Sequence, residues 1–148
     1  MTASFRRILV GWDGSADAAE ALRAAAAIVG HQGGHVVALA VVRPHVRQES
    51  TEDRQNESDA IRRQAEEQFS TLRRQSGAVS GLRLTVHVLT EGNAGAGQAI
   101  CDYAATHGFD LLVVGRHGDG GARRDRLGRV ASAAAQASPV PLLLLSAR

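Results

Sequence analysis

The chain has 148 residues, the usual length of a single domain, and a formal net charge of +2. Its composition, 44% hydrophobic and 22% charged, is typical of a soluble globular protein. All 17 basic residues are arginine, and the absence of lysine excludes a Walker-type phosphate loop and a lysine Schiff base. The single cysteine, Cys101, excludes an internal disulfide, and no apolar run is long enough to span a bilayer. We therefore expect a cytoplasmic protein without a membrane segment.

Five short apolar runs predict β-strands, most of them buried. They are nearly continuous in Val, Leu and Ile, which is typical of strands covered on both faces. The runs are Arg7–Gly11, His35–Val42, Leu82–Leu89, Asp110–Gly115 and Val140–Ser146. The third run alternates apolar with polar residues, which predicts a strand near a sheet edge.

Helical patterns fill most of the intervals between these runs. The first expected helix is capped by Ser15 and ends at Gly30, and the second carries Ile61, Ala65, Phe69 and Leu72 on one face. The third runs from Ala96 to His107, and the fourth runs from Gly128 to Ser138. Residues Arg43 to Ser58 are mostly polar and aperiodic, so we expect a functional or mobile loop there. Strict alternation of strand and helix predicts a single-domain α/β fold with an open parallel sheet and helices on both faces.

Ligands of open parallel sheets bind at the carboxyl ends of the strands, and the turn after the first strand is specialised. It reads Gly11-Trp12-Asp13-Gly14-Ser15. Asp13 either accepts hydrogen bonds from a base or ribose, or holds a metal bound to phosphates. The alternative is a tight turn in which Asp13 and Ser15 cap the following helix. The turn alone leaves both interpretations open.

The stretch after the fourth strand carries the stronger signal. Five glycines and five arginines fall within the sixteen residues from Gly115 to Val130. Glycine lets backbone N–H groups approach an anion, and Gly128 opens a helix whose N-terminus attracts negative charge. The alternative is a mobile, solvated basic loop, which does not explain why glycines bracket the run at both ends. The stretch therefore predicts a phosphate site.

Other candidate sites are weak. Gly33 and Gly34 lie between His31 and His35, so the two histidines share no regular helical face, and they have too few partners for a metal site. A net charge of only +2 with 3% aromatic residues argues against nucleic-acid binding. We expect neither a bound metal at the histidines nor a nucleic-acid partner.

The motifs together resemble the universal stress protein (UspA-like) family over residues 1–148. The matching segments are Ile8–Ser15, Leu39–Val42, Gly92, Asp110–Gly115 and Ser138–Leu143. The ATP-binding signature of that family is Gly, two residues, Gly, nine residues, Gly and then Ser or Thr. Gly115, Gly118 and Gly128 match its spacing. The resemblance implies a Rossmann-like sheet of order 3-2-1-4-5 and a stress-response protein that binds ATP, with or without Mg²⁺.

The resemblance also implies site residues. Those on the adenine side are Gly11, Trp12, Asp13 and the Val41 backbone, and those on the phosphate side are Gly115, Arg116, His117, Gly118, Gly128, Arg129, Val130 and Ala131. Trp12 either stacks on a base or forms a wall of the core. Arg129 stands where the family has a hydroxyl. It either pairs with a phosphate, fills the pocket or turns outward.

The resemblance further implies a homodimer through the last strand, Val140–Leu145. An exposed apolar edge favours a symmetric partner, because an unpaired edge is prone to aggregate. Our leading hypothesis is a nucleotide-binding stress-response protein that is not an enzyme. The alternatives are a dimeric interaction protein of the same fold that binds no nucleotide, and a slow ATPase.

Overall fold

Five apolar runs form one parallel sheet, because each strand alternates with a helix that returns the chain to the same end. The computed structural model describes residues 5–30, 33–44, 50–75, 82–118 and 126–147. The strands are β1 (Arg7–Gly11), β2 (His35–Val42), β3 (Arg83–Thr90), β4 (Leu111–Gly115) and β5 (Leu142–Leu145), and the helices are α1 (Ala16–Val29), α2 (Thr51–Gln75), α3 (Ala96–His107) and α4 (Arg129–Ala137). The sheet order, β3-β2-β1-β4-β5, confirms the predicted α/β fold.

The central strand β1 separates two apolar layers. Ile8 and Val10 pack with α1 and α2 on one face, whereas Leu9 packs with α3 and α4 on the other. All three side chains are fully buried. Because both faces are covered, this strand is continuously apolar, as its sequence predicts. Among the described helices, none is long and apolar enough to cross a membrane.

The edge strands differ from the centre. β3 has exposed residues at Arg83 and His87, which confirms the predicted edge position. β5 forms the other edge and is shorter than the predicted run Val140–Ser146. The hydroxyl of Ser138 donates to the carbonyl oxygen of Val140 at 2.7 Å, so Val140 belongs to the turn that ends α4.

The predicted loop from Arg43 to Ser58 is wrong over its second part, because α2 already begins at Thr51. Ser50 and Asp53 cap this helix reciprocally. The N–H of Asp53 donates to Ser50 Oγ at 3.0 Å, and the N–H of Ser50 donates to Asp53 Oδ2 at 3.3 Å. The first turns have no buried apolar residue, so periodicity could not reveal them. The remaining part of that segment, residues 45–49, lies outside the described residues.

Candidate functional site

A cavity of about 420 Å³ opens at the carboxyl end of the sheet, between the turns that follow β1 and β4. This volume suits a small molecule. All the predicted site residues except Arg116 line it: Gly11, Trp12, Asp13, Val41, Gly115, His117, Gly118, Gly128, Arg129, Val130 and Ala131. Sequence reasoning missed Arg43 and Ile100, which also line the cavity. Arg43 directly follows β2, the position at which parallel strands present ligand residues.

The turn after β1 presents Asp13 to the cavity. Its Oδ1 atom accepts the N–H of Ser15 at 2.9 Å, and Ser15 Oγ accepts the N–H of Ala18 at 3.1 Å. These bonds cap α1, as the tight-turn interpretation predicts. Asp13 Oδ2 lies 3.2 Å from the position of a Cβ placed on Gly118. Ser15 is therefore the N-cap of α1, and Asp13 holds the turn before it and also faces the loop after β4.

Trp12 lines the cavity, and its side chain belongs to the core. The Trp12 N–H donates to the carbonyl oxygen of Leu39 at 2.9 Å, which extends the pairing of β1 with β2. The indole is 5% exposed and packs in the apolar layer with α1 and α2. Its Nε1 atom is buried and has no hydrogen-bond partner in the described part of the chain. Of the two alternatives for Trp12, the structure shows a wall of the core.

Glycines close the base of the loop after β4. The Gly128 N–H donates to the carbonyl oxygen of Arg116 at 2.7 Å. A Cβ placed on Gly128 would lie 3.2 Å from the Gly118 nitrogen, and one on Gly115 would lie 2.6 Å from Asp17 Cβ. Only glycine fits these close approaches without a shift of the backbone. The predicted basic loop continues through residues 119–125, which lie outside the described residues.

The N-terminus of α4 supplies unused donors. Gly128 occupies the N-cap position and offers no side-chain hydrogen bond. The first bond of the helix runs from the Ser132 N–H to the carbonyl oxygen of Gly128 at 2.9 Å. Within the described residues, no acceptor pairs with the N–H groups of Arg129, Val130 and Ala131, and all three residues line the cavity. Such a helix start carries partial positive charge and favours an anion.

Arginine charge adds to this end of the cavity. Arg129 is exposed and lines the cavity. Its guanidinium makes no ion pair or hydrogen bond with the described residues. Arg43 is also exposed and lines the same cavity. Arg129 and the start of α4 therefore bring positive charge to a space that can hold phosphate groups, and Arg43 adds a second cation to the lining of the cavity.

A buried carboxylate that sequence reasoning missed supports the loop from behind. Asp17 is 8% exposed and accepts the Nδ1–H of His117 at 3.0 Å and its backbone N–H at 3.1 Å. It also accepts the N–H of Ala147 at 2.7 Å. Burial alone would raise the pKa of Asp17, but these bonds from Ala147 and His117 hold it below its ordinary value. The signal in the sequence was an aspartate on the otherwise apolar face of α1, four residues before Ala21.

The described residues contain no cluster of three or more His, Cys, Asp or Glu side chains that could hold a metal ion. A bound molecule would add ligands for a metal at this site. Nucleotide phosphates supply such oxygen ligands, and Mg²⁺ commonly binds through phosphates and one carboxylate. Asp13 is the carboxylate that lines the cavity.

Solved structures with the same fold are universal stress proteins. UspA from Lactobacillus plantarum is 22% identical with a TM-score of 0.67, and the match covers 97% of this chain and 99% of that chain. A universal stress protein in complex with cAMP is 21% identical with a TM-score of 0.71, over 98% of this chain and 99% of that chain. The protein from Archaeoglobus fulgidus in complex with dAMP is 18% identical with a TM-score of 0.61, over 97% and 99%.

A comparison with curated proteins found no match. The model of the universal stress protein family, in contrast, matches residues 4–146, which is nearly the whole chain. The fold, the glycine-bounded cavity and this match agree. The chain belongs to the universal stress protein family.

Proposed function

We propose that this protein binds an adenine nucleotide in the cavity between the turns after β1 and β4, and that it acts in a stress response through partner binding or a change of conformation rather than through catalysis. One observation carries the proposal. At the start of α4, N–H groups that have no acceptor among the described residues belong to residues lining the same cavity as Gly115, Gly118, Gly128 and Arg129. This end has the donors and the charge that phosphates need.

The other end of the cavity suits a base. Leu39, Ile100 and Val114 line it with apolar side chains. The carbonyl oxygen of Leu39 accepts from the N–H of Trp12, the residue after β1. The backbone of Val41, two residues on in β2, therefore faces the same side beyond the end of β1. Peptide groups in that position offer hydrogen bonds to an adenine ring. Structures of relatives in complex with cAMP and dAMP support an adenine nucleotide as the ligand class.

Among adenine nucleotides, we propose ATP. Arg129 lies at the phosphate end of the cavity, Arg43 is a second cation in its lining, and Asp13 offers an oxygen to a phosphate-bound Mg²⁺. Arg129 takes the place of the hydroxyl in the family signature by pairing with a phosphate directly. The exposed side chain of Arg129 has the freedom to reach the ligand, since it has no partner among the described residues.

We also propose a homodimer through β5. This strand lies at the edge of the sheet, and Leu143 is exposed at 36%. A second copy would cover the edge and its apolar side chains. Sedimentation equilibrium with Leu143→Arg tests this. We expect the variant to be monomeric at concentrations where the natural chain is dimeric, and a natural chain that is monomeric at all concentrations would refute the dimer.

Calorimetric titration tests the nucleotide proposal. The natural chain is titrated with ATP, AMP and GTP, each with and without Mg²⁺. We expect saturable heat with ATP, weaker binding of AMP because fewer phosphates contact the arginines, and no binding of GTP. No heat and no rise in the unfolding temperature at millimolar ATP would overturn the proposal. Phosphate release well above the blank without protein would instead favour the slow ATPase.

A further inference from the structure

Asp17 joins two segments that no other side chain connects among the described residues. It is the buried charged residue of the described chain, and it lies in the first turn of α1. One oxygen, Oδ2, accepts two hydrogens from His117, which lines the cavity. The other oxygen, Oδ1, accepts the N–H of Ala147, which follows β5 and does not line the cavity.

The Asp17 carboxylate, which accepts these three hydrogen bonds, is held in place by its surroundings. Ser15 caps α1 at the N–H of Ala18, directly next to Asp17. The backbone at Gly115 approaches so closely that a Cβ there would lie 2.6 Å from Asp17 Cβ. The loop after β4 therefore packs directly against the start of α1, and moving it away would break both bonds from His117 to Asp17. A displaced carboxylate would lose its bond to Ala147 as well.

The residues that follow β4 and the end of β5 are also neighbours. The Arg116 N–H donates to the carbonyl oxygen of Leu145 at 2.8 Å, which continues the pairing of β4 with β5. Asp17 thus hydrogen-bonds both to His117, at the start of the loop after β4, and to Ala147, just after β5.

We propose that Asp17 is a positioning residue that couples nucleotide binding to the order of the segment after β5. The carboxylate holds His117 and Gly118 in the conformation that receives phosphates, and the same group fixes Ala147. This inference rests on the proposed nucleotide site. Because coupling between two sites is reciprocal, a nucleotide that stabilises the loop must also stabilise the bond to Ala147. The edge strand would then report on the occupancy of the site.

Ala147→Pro tests the coupling at a distance from the ligand, because it removes the N–H that Asp17 accepts at a residue that does not line the cavity. Asp17→Ala removes all three bonds, and Glu20→Gln is the matched control, since Glu20 is a carboxylate of α1 that pairs with Arg23 at the surface. Affinity for Mg²⁺-ATP is measured by calorimetry, after circular dichroism has shown that each variant is folded. We expect losses of about tenfold for Asp17→Ala and about fivefold for Ala147→Pro, within the usual range of coupling, and none for Glu20→Gln.

Amide exchange of Ala147, followed by NMR, tests the reverse direction. We expect saturating Mg²⁺-ATP to slow exchange of this N–H about fivefold in the natural chain and not in Asp17→Ala. Ala147→Pro with unchanged affinity, or Ala147 exchange that ignores the nucleotide, would overturn the coupling. If the natural chain binds no nucleotide, His117→Ala is compared with the natural chain without ligand. Faster exchange at Ala147 in this variant would support the link from His117 through Asp17 to Ala147, although the nucleotide proposal would have failed. Unchanged exchange would overturn both the link and the coupling.

Discussion

The N–H of Gly128 donates a hydrogen bond of 2.7 Å to the carbonyl oxygen of Arg116, and this bond closes the base of the loop that follows β4. The two residues stand at opposite ends of a segment rich in glycine and arginine. Their contact places the start of α4 directly beside the first residues after β4. This closure forms part of the phosphate end of the cavity, because Gly128 and the first residues of α4 line the cavity together with His117 and Gly118.

Gly128→Ala should weaken nucleotide binding. The added Cβ would lie 3.2 Å from the Gly118 nitrogen and 3.4 Å from the carbonyl oxygen of Arg116, so backbone atoms must give way. We expect a loss of affinity of about tenfold, since a donor group misplaced by a few tenths of an ångström weakens charge-assisted bonds. Gly92→Ala is the matched control, because nothing lies within 4 Å of a Cβ there. Equal affinities of the two variants would contradict the role of the loop closure.

Arg129→Ser should lower ATP affinity more than AMP affinity. A charge-assisted bond to phosphate contributes about 1.5–3 kcal/mol when well formed, and exposure of Arg129 reduces this, so we expect a loss of about fivefold for ATP. Arg126→Ser serves as control, since Arg126 is exposed and does not line the cavity. Tighter binding by Arg129→Ser would show that the arginine obstructs the site instead of completing it.

The Asp17 carboxylate should make the fold sensitive to acid. Its folded-state pKa lies below the ordinary value of about 3.9, so its contribution to stability is complete above that value. The contribution is lost as pH falls from there through the lowered pKa, because the unfolded chain takes up the proton first. Urea unfolding of Asp17→Asn between pH 2 and pH 7 should show a shallower loss of stability in acid than the natural chain. Identical pH profiles would rule out a stabilising role for the ionised group.

Ser50→Ala should destabilise the first turns of α2. The hydroxyl of Ser50 accepts the N–H of Asp53, and loss of such a cap costs about 1 kcal/mol. Ser70→Ala is the control, because Ser70 is exposed in the same helix and its hydroxyl bonds to none of the described residues. Helix content and the free energy of unfolding, measured by circular dichroism, should fall for the cap variant alone. A fall of equal size in both variants would show that the cap contributes nothing specific.

Much of this architecture follows from local sequence. The apolar run around Leu9 can only be a strand covered on both faces, and the glycine spacing from Gly115 to Gly128 indicates the loop that the structure closes beside the cavity. The start of α2 escaped prediction because its first turns are held by a cap and lack a buried face. Asp17 escaped because its donors lie 100 and 130 residues away in the chain, and no local pattern reveals such a contact.

Chemical shifts of the backbone amides at the start of α4 test the central claim most directly. The natural chain, labelled with ¹⁵N, is titrated with Mg²⁺-ATP. If phosphates bind where we propose, the amide signals of Arg129, Val130 and Ala131 should shift in a saturable way together with that of Gly118, since these groups line the cavity. Signals that stay unchanged there while ATP binds elsewhere, or that stay unchanged throughout at millimolar ATP, would contradict the account.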